Sequence, residues 1–513
     1  MSINSRRIVA LLALGLLPVA VGAVELAAPF TEGMVLQREA RVCVWGTGGP
    51  GERIEVRFGR QRLKTKASER GTWRAYLDSM PASSVPQTLE VRGTNTIRLS
   101  KVLVGEVWLA GGQSNMGSKL KEYAELAVRE VPKANHPELR FFTVAKRKTT
   151  DQNVVPAKWI ACSPETVTGF SATAYFFGRE LHKQFKVPVG IIVCAWGGTM
   201  AENWISRERL LSNAETAPIV HRYDHAWMAH GGNASYRAKL AVHEHLLAEW
   251  KAQRKAGERP GVRPKEPMGP EHFQRPSGLY ESMFRTIAPN TVRGIIFYQG
   301  ESNVIDDRAY QYRYLLPLLV QQWRTDLEAE VPFLTVQLPT ARAVGEEPWA
   351  EIRESQWVAC RNTTKCEMAV VIEHGEPNRL HPKYKVEVGQ RLAELARGKV
   401  YGEAIVCQGP LYHSQRIDGN RIFLSFDSRG SGLVGKGGKL NDFTICDASG
   451  VFVPAEAVIK GDHLVVSSAA ITKPVGVRYG WKNHFTPSLY NQEGYSASPF
   501  RTDDFKLTTE DNR

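Results

Sequence analysis

The rhythm of apolar and polar positions changes twice along the chain. Between residues 24 and 103, short segments such as VCVWGTG, RIEVRFG, TWRAYLD and TLEVRGT alternate apolar and polar side chains, and Gly, Pro and Ser separate them. This alternation predicts an N-terminal antiparallel β domain over residues 24–103. The same pattern returns later and predicts a C-terminal β region over residues 401–513.

Residues 104–400 follow a different rhythm. Continuous apolar runs, EVWLAG, VPVGIIVCAW, VRGIIFYQG, VPFLTVQLP and EMAVVIEHG, alternate with segments whose apolar residues recur every three or four positions. Buried strands that alternate with amphipathic helices indicate a parallel sheet covered on both faces, so we predict an α/β domain. Residues 205–280 interrupt this domain as a polar, partly helical insertion.

Residues that can take part in catalysis or ligand binding follow four of these apolar runs. The runs lead into GGQSN at 111–115, WGGT at 196–199, QGESN at 299–303 and, after a loop, LHP at 380–382. Ligands of an open α/β sheet bind beyond the carboxyl ends of its strands. An ordinary turn explains any one of these segments, but their meeting at one edge of a sheet favours a catalytic site.

A serine and a histidine in this set predict nucleophilic catalysis. Ser114 is a poor nucleophile until a base takes its proton, and His381 suits that task near neutral pH. Attack on an ester carbonyl creates an oxyanion, which N–H donors stabilise. The candidate donors are the backbone amides of Ser114 and Gly198 and the side-chain amide of Asn303.

Taken together, these motifs resemble a known family. GQSNM, WGGT, YQGESN and HPKYKVEVGQRLA are similar to segments of the sialate O-acetylesterase family, within the SGNH hydrolases. The resemblance implies a flavodoxin-like, three-layer α/β/α catalytic domain with flanking β-sandwich-like domains. It also implies a serine esterase that removes O-acetyl groups from carbohydrates, sialic acid among them, without a metal or a cofactor.

The resemblance assigns roles to individual residues. It implies that Ser114 is the nucleophile and His381 the general base, and it places Gly198 and Asn303 in segments that supply oxyanion donors. The residues expected to bind substrate or to support the site are Gln113, Gln299, Glu301 and Trp196.

One position departs from the family pattern. Members of the family carry Asp two residues before the histidine, where this chain has Arg379. An arginine cannot accept an imidazole N–H, and its charge disfavours imidazolium. Three interpretations stay open: a Ser–His dyad whose tautomer a backbone carbonyl fixes, a carboxylate from another position, or a loss of activity. The candidate carboxylates are Glu301, Glu373 and Glu376.

Two other classes of protein are compatible with parts of the sequence. Glu301 and a second carboxylate would form the acid pair of a glycoside hydrolase. Flanking β regions around an inactive centre would make a non-catalytic glycan-binding protein. Within the esterase interpretation, His374 is an alternative base. Trp108, Trp196 and Trp204 lie near strand ends, where an indole either stacks on a sugar or packs in the core.

The N-terminus predicts export. Arg6 and Arg7 precede an apolar run, and Val21, Gly22 and Ala23 end it with the small side chains that a signal peptidase requires. We therefore expect a signal peptide over residues 1–23 and a secreted or periplasmic protein. No later segment is long and apolar enough to cross a bilayer, so we expect no membrane span after cleavage.

Composition narrows the range of partners. The chain contains 42% hydrophobic and 23% charged residues, which is typical of globular proteins. Its length of 513 residues predicts two to four domains. Loss of the two leader arginines takes the net charge from +13 to +11, which suits an acidic glycan, and no nucleic-acid-binding motif occurs.

The chain has seven cysteines, an odd number, so at least one is unpaired within the chain. Cys360 and Cys366 are close enough in sequence to form a disulfide. The identity of the acetylated sugar stays open.

Overall fold

The computed structural model describes residues 22–148, 156–229, 231–341 and 348–512, and of residue 305 the backbone only. The predicted signal peptide, residues 1–23, lies outside the described residues except for residues 22 and 23. Within the described ranges, no helix has both the length and the hydropathy that crossing a bilayer requires.

Short strands with one covered face build the N-terminal region. In one of them, Trp73, Ala75 and Leu77 are buried while the residues between them are exposed. This period of two is what a sheet with one solvated face requires. The strands are β1 (Glu25–Leu26), β2 (Val35–Gln37), β3 (Val42–Thr47), β4 (Arg53–Phe58), β5 (Gln61–Lys66), β6 (Thr72–Leu77) and β7 (Ser83–Arg92).

A mostly parallel sheet forms the centre of the protein. Its strands are β8 (Thr96–Gly112), β9 (His136–Thr143), β10 (Trp159–Cys162), β11 (Val189–Ala195), β12 (Gly294–Tyr298), β13 (Phe333–Val336) and β14 (Cys366–Ala369), in the order β10-β9-β11-β8-β12-β13-β14. The β9–β10 pair is antiparallel and the other neighbours are parallel. Every residue of β11, β12 and β13 is buried, as expected where both faces of a sheet are covered.

Helices lie on both faces of this sheet. They are α1 (Ser114–Gly117), α2 (Ala124–Glu130), α3 (Ala172–Phe185), α4 (Arg207–Leu211), α5 (Ala217–Ala229), α6 (Gly232–Lys255), α7 (Gly278–Ser282), α8 (Glu301–Ile305), α9 (Tyr312–Leu327), α10 (Trp349–Arg361) and α11 (Lys385–Lys399). The ring of Trp108 in β8 lies 5.0 Å from that of Phe177 in α3. A Cβ at Gly111 would lie 2.7 Å from the ring of Trp323 in α9. Because residues 108 and 111 point to opposite sides of one strand, α3 and α9 cover opposite faces.

The strand β8 belongs to two sheets at once. Its first half pairs antiparallel with β7, and its second half pairs parallel with β11 and β12. The domain boundary predicted between residues 103 and 104 therefore falls inside one continuous strand.

The C-terminal region returns to short antiparallel strands. They are β15 (Leu411–Asp418), β16 (Arg421–Asp427), β17 (Leu433–Gly435), β18 (Phe443–Cys446), β19 (Val453–Pro454), β20 (Glu456–Lys460), β21 (His463–Ser467), β22 (Gly476–Tyr479), β23 (Leu489–Asn491) and β24 (Phe500–Arg501). Arg501 Nε lies 2.6 Å from Glu354 Oε1, and Thr509 Oγ1 lies 2.6 Å from Glu351 Oε2. Both acids are on α10, so buried polar contacts attach this region to the central domain.

A buried carboxylate lies in the strand shared by the two sheets. Glu106 of β8 is fully buried and contacts two arginines, Arg38 at 2.5 Å and Arg293 at 3.0 Å. Burial by itself would raise the pKa of Glu106, but the hydrogen bonds from Arg293 and Arg38 outweigh it and hold that pKa below its usual value. The ion pair therefore stabilises the fold above the pKa of an unfolded glutamate, and this stabilisation is lost as the pH falls through the lower folded-state pKa.

We expect Glu106→Gln to lower the free energy of unfolding by about 3 kcal/mol, because it removes the buried negative charge that two arginines share and replaces one of its two acceptor oxygens with an N–H₂ donor. Chemical denaturation followed by tryptophan fluorescence measures the change. Glu39 contacts the same arginines, each at 3.4 Å, from a position that is 58% exposed, so Glu39→Gln is a matched control with a much smaller effect. Equal losses in the two variants would show that burial of Glu106 gives its ion pairs no added weight.

Candidate active site

Two side chains from distant parts of the chain meet at the carboxyl edge of the central sheet. Ser114 begins α1 directly after β8, and His381 lies in the loop between β14 and α11. His381 Nε2 lies 2.7 Å from Ser114 Oγ, although 267 positions separate the two residues. Ser114 is partly exposed and His381 is exposed, so solvent and small molecules reach the pair.

Crowding around Ser114 explains the glycines in its neighbourhood. Gly112 has a φ of +131°, and a Cβ there would lie 2.1 Å from the carbonyl oxygen of Tyr298. A Cβ at Gly197 would lie 3.1 Å from the Cβ of Ser114. Gly198, the next residue, has a φ of +75° and is exposed. Glycine permits this close approach of the turn to the serine, so the backbone amides of the turn are available beside Ser114.

Three amide side chains that the sequence analysis placed in the site form one buried hydrogen-bond network near the serine. Gln299 Nε2 lies 3.2 Å from Gln113 Oε1, 2.9 Å from Asn303 Oδ1 and 3.1 Å from the carbonyl oxygen of Thr199. Asn303 Nδ2 donates to Glu202 Oε2 at 3.0 Å. Gln113, Gln299 and Asn303 are all buried, so the network ties together three of the four strand-end segments.

A second buried network centres on Asn115, to which the sequence motifs assigned no role. Its Oδ1 accepts from Lys385 Nζ at 2.5 Å, and its Nδ2 donates to Glu301 Oε1 at 2.5 Å and to the carbonyl oxygen of Leu380 at 3.0 Å. Lys385 was also missed, although it belongs to the same HPKYK segment as the histidine. A buried lysine has no signature in sequence, because its partners come from other parts of the fold.

The carboxylates proposed to replace the family's aspartate are engaged elsewhere. Glu301 accepts from Asn115, Glu373 from Arg391 and Glu376 from the backbone N–H of Lys383. In the part of the chain that the structure describes, none of the three carboxylates hydrogen-bonds His381. Arg379 is exposed and lines a cavity of about 640 Å³ together with Tyr123 and Tyr384.

The charges around the imidazole favour its neutral form. Burial lowers the pKa of His381, and so does the nearby ammonium of Lys385, while the carboxylate of Glu122 opposes both. Burial also lowers the pKa of Lys385 to about 7 and raises the pKa of Glu301. Glu122, rather than any of the three expected glutamates, is thus the acid whose charge acts on His381.

Burial and contacts distinguish the tryptophans and the alternative histidine that the sequence analysis proposed. Trp108 and Trp204 have no exposed surface, so they pack in the core. Trp196 is half-buried and stacks on Phe273, with 5.1 Å between the ring centroids. His374 Nε2 lies 3.6 Å from Glu373 Oε1, in contrast to His381, which contacts Ser114. Among the described residues, no group of three or more His, Cys, Asp or Glu side chains is placed to hold a metal ion.

Comparisons with known proteins identify the class. The structure is similar to that of a carbohydrate acetylesterase from Xanthomonas citri, with a TM-score of 0.77 and 32% identity, over 94% of this chain and 100% of that one. The family model described as carbohydrate esterase, sialic acid-specific acetylesterase, matches residues 104–226 and 268–397. The chain is therefore an esterase, a hydrolase of carboxylic esters.

More specifically, the chain belongs to the sialic acid-specific acetylesterase family of carbohydrate esterases, and the resemblance seen in its motifs is confirmed. Human sialate O-acetylesterase is 27% identical over 420 residues, which cover 74% of this chain and 71% of the human protein. The mouse protein is 26% identical over 418 residues, 74% of each chain. The family match omits residues 227–267, which contain helix α6.

Proposed function

We propose that this esterase removes O-acetyl groups from carbohydrates, sialic acids among them, with Ser114 as nucleophile and His381 as general base. The observation that carries the proposal is the 2.7 Å contact between Ser114 Oγ and His381 Nε2 in a chain of this family. The family relationship supports the substrate class, because the similar proteins are named as acetylesterases of sialate or of carbohydrates.

The chemistry follows from the geometry at the serine. The neutral imidazole of His381 takes the hydroxyl proton as Ser114 Oγ bonds to the acetyl carbonyl carbon, and the C=O π electrons move to the oxygen. We assign the binding of this oxyanion to the backbone N–H groups of Ser114 and Gly198. The sequence also offered Asn303 as a donor, but its side chain has no exposed surface and its Nδ2 donates to Glu202, so we assign Asn303 to the support of the site. Imidazolium then protonates the sugar oxygen as the ester C–O bond breaks. Water hydrolyses the acetyl-serine by the reverse sequence of proton transfers.

The surroundings of the serine support a sugar as the alcohol part of the ester. The cavity of about 640 Å³ lined by Tyr123, Arg379 and Tyr384 begins two residues from His381. The half-buried indole of Trp196 lies next to Gly197 in sequence, and a Cβ added to Gly197 would lie 3.1 Å from the Cβ of Ser114. Aromatic side chains with partly exposed surfaces commonly contact sugar rings, so we assign substrate contact to Trp196 and support to Gln113 and Gln299.

The same proposal covers the finer architecture and the location of the protein. We propose that residues 104–400 form the three-layer α/β/α domain of the SGNH hydrolases, between flanking β domains. The helices on both faces of the central sheet support this assignment. We also propose that the leader over residues 1–23 directs export, which makes the protein secreted or periplasmic.

The glycoside hydrolase alternative is disfavoured by burial. Glu301 is 1% exposed and accepts a hydrogen bond from Asn115, so its carboxylate does not face a glycosidic bond. The interpretation as a non-catalytic glycan-binding protein conflicts with the family to which the chain belongs.

We expect Ser114→Ala to lower acetate release from p-nitrophenyl acetate and from acetylated glycans by at least about 1,000-fold, because the variant lacks the attacking oxygen. An acetate-release assay over a panel of acetylated sialic acids and acetylated polysaccharides measures the loss and ranks the substrates. Ser302→Ala is the control, since it removes a serine hydroxyl from the neighbouring strand end and should keep most of the activity. Wild-type turnover in Ser114→Ala would rule out the mechanism.

We expect kcat/KM to fall on the acid side with a midpoint below about 6.5, the ordinary pKa of imidazole. The reason is that burial and Lys385 lower the pKa of His381, so the base stays neutral to a lower pH. Glu122→Gln should move the midpoint further down, because Glu122 raises the pKa of His381. A pH–rate profile on p-nitrophenyl acetate measures both. A wild-type midpoint above about pH 7 would contradict the assignment.

A further inference from the structure

One buried amide bridges the chain beside the serine and the chain beside the histidine. Asn115 directly follows Ser114, and Leu380 directly precedes His381. Asn115 Nδ2 donates to the carbonyl oxygen of Leu380 at 3.0 Å, and Asn115 is only 1% exposed. A single side chain therefore links the first turn of α1 to the loop that carries His381, two segments that are far apart in sequence.

The orientation of this amide is determined by groups of opposite character. Lys385 Nζ, which only donates when protonated, lies 2.5 Å from Asn115 Oδ1, and Glu301 Oε1, which accepts when ionised, lies 2.5 Å from Asn115 Nδ2. A flipped amide would place its N–H₂ against an ammonium. The lysine and the glutamate thus select the one orientation in which the N–H reaches Leu380.

Burying a lysine and a glutamate at this place is costly, which argues that they have a purpose there. Lys385 is 1% exposed, and so is Glu301. The ammonium lies 5.4 Å from the ring centroid of Tyr123 and 5.5 Å from that of Tyr298, so two aromatic faces compensate part of the lost hydration.

The chain lacks the device that orients the histidine in related sequences. Arg379 stands where the family pattern has Asp, and the three carboxylates expected to replace it bond to other groups. The orientation of the imidazole then depends on the backbone that carries it. That backbone is held at the Leu380 carbonyl, one residue before His381.

We propose that Asn115 is a positioning residue that clamps the loop of His381 to the first turn of α1, which carries Ser114, and that Lys385 and Glu301 lock its side-chain amide in the working orientation. The proposal rests on the assignment of Ser114 and His381 as nucleophile and base. It gives the buried lysine of the HPKYK segment a function in a site without an orienting aspartate.

The test compares Asn115→Ala and Lys385→Met with wild type on p-nitrophenyl acetate. We expect kcat to fall about 10- to 100-fold in each variant with KM nearly unchanged, because a misplaced base slows proton transfer without altering substrate contacts. Lys385→Gln should recover part of the loss, since its N–H₂ can still donate to Asn115 Oδ1. Unchanged kcat in both Asn115→Ala and Lys385→Met would overturn the proposal.

A pH profile separates positioning from simple destabilisation. Lys385→Met removes a cation that lowers the pKa of His381, so the acid limb of kcat/KM should move to higher pH. The other charged groups that act on these two residues are Glu122 on His381, and Glu301, Glu376 and Glu122 on Lys385. An acid limb that does not move in a folded Lys385→Met variant would show that the ammonium does not act on His381, and it would overturn the placement of Lys385 on which the clamp is argued.

Thr173→Val is the matched control. Thr173 Oγ1 donates at 2.9 Å to the backbone oxygen of Asn115, so this buried substitution perturbs the same residue without touching its side-chain amide. It should lower Tm but leave kcat close to wild type, and an equal loss of kcat would contradict the clamp. If Ser114→Ala is inactive while Asn115→Ala and Lys385→Met keep wild-type kcat, the clamp alone fails. An active Ser114→Ala removes the proposed function itself.

A separate pair of thiols lies on the far side of the domain. Cys360 near the end of α10 and Cys366 at the start of β14 place their Sγ atoms 3.3 Å apart. Both are nearly buried, with 8% and 7% of their surface exposed. A cavity of about 280 Å³ that Trp357 and Tyr412 help to line opens at the two sulfurs, so a reagent has a route to them.

We infer that Cys360 and Cys366 form a disulfide when the folded chain meets a disulfide oxidant. One thiolate attacks the oxidant's disulfide and releases one thiol of the oxidant. The second thiolate attacks the protein sulfur of the resulting mixed disulfide and releases the other thiol. Two S–H bonds are lost and one S–S bond forms, while the two electrons reduce the oxidant to two thiols. The bridge would fasten the end of α10 to the strand that leads to His381.

Tryptic mapping after incubation with oxidised glutathione tests this pairing. Arg361 and Lys365 lie between the two cysteines, so cleavage leaves ESQWVACR and CEMAVVIEHGEPNR joined only by the bridge. We expect this linked peptide, two hydrogens lighter than its parts, and its loss on reduction. Cys194 is fully buried as a free thiol and should be recovered unlinked. Recovery of Cys360 and Cys366 as separate unlinked peptides would overturn the inference.

Discussion

The hydrogen bond between Ser114 and His381 is the interaction on which the whole site depends, and local structure cannot provide it. The two residues come from opposite ends of the α/β region, and their 2.7 Å contact exists only because parallel strands end at one edge of the sheet. Gly112 lets β8 approach the backbone of Tyr298 closely, and Gly197 lets its turn lie close to Ser114. The sheet, the turns and the buried amide side chains together hold Ser114 Oγ and His381 Nε2 at this 2.7 Å distance.

Electrostatics then sets the state of the two partners. Partial desolvation and the ammonium of Lys385 both lower the pKa of the accessible imidazole of His381, so the ring stays neutral, which is the form that accepts a proton, and no acid needs to touch it for this. The exposed Arg379 fits that arrangement, because the charges that matter lie below the loop and not on it. In the proposed clamp, the backbone of the His381 loop, held at Leu380 by Asn115, provides the orientation that an aspartate provides in the family pattern. Charge control and orientation are thus divided between separate groups in this site.

The sequence predicts most of the central sheet and the meeting of the site residues at one edge of that sheet. Five buried strands gave long apolar runs, and the strand-end rule brought Ser114, Gly198, Asn303 and His381 to one edge. The strands β9 and β10 were not recognised, because His, Pro, Glu and Arg interrupt the apolar residues of HPELRFFT, and WIAC is only four residues long. Asn115, Lys385 and Glu122 were missed because their importance lies in partners that only tertiary structure supplies. The domain boundary predicted at residue 103 cuts a strand whose hydrophobic pattern simply continues.

That uncut strand has an architectural consequence. Seventeen residues run without interruption from the first sheet to the residue before Gln113, so the N-terminal region is no detachable appendage. Its edge supplies hydrogen bonds to the same ribbon that ends at the reactive hydroxyl. A single inserted or deleted residue in that ribbon would exchange inward and outward faces along its remaining length. Insertions and deletions are therefore tolerated in the loops of the first sheet, but the number of residues in β8 must stay constant.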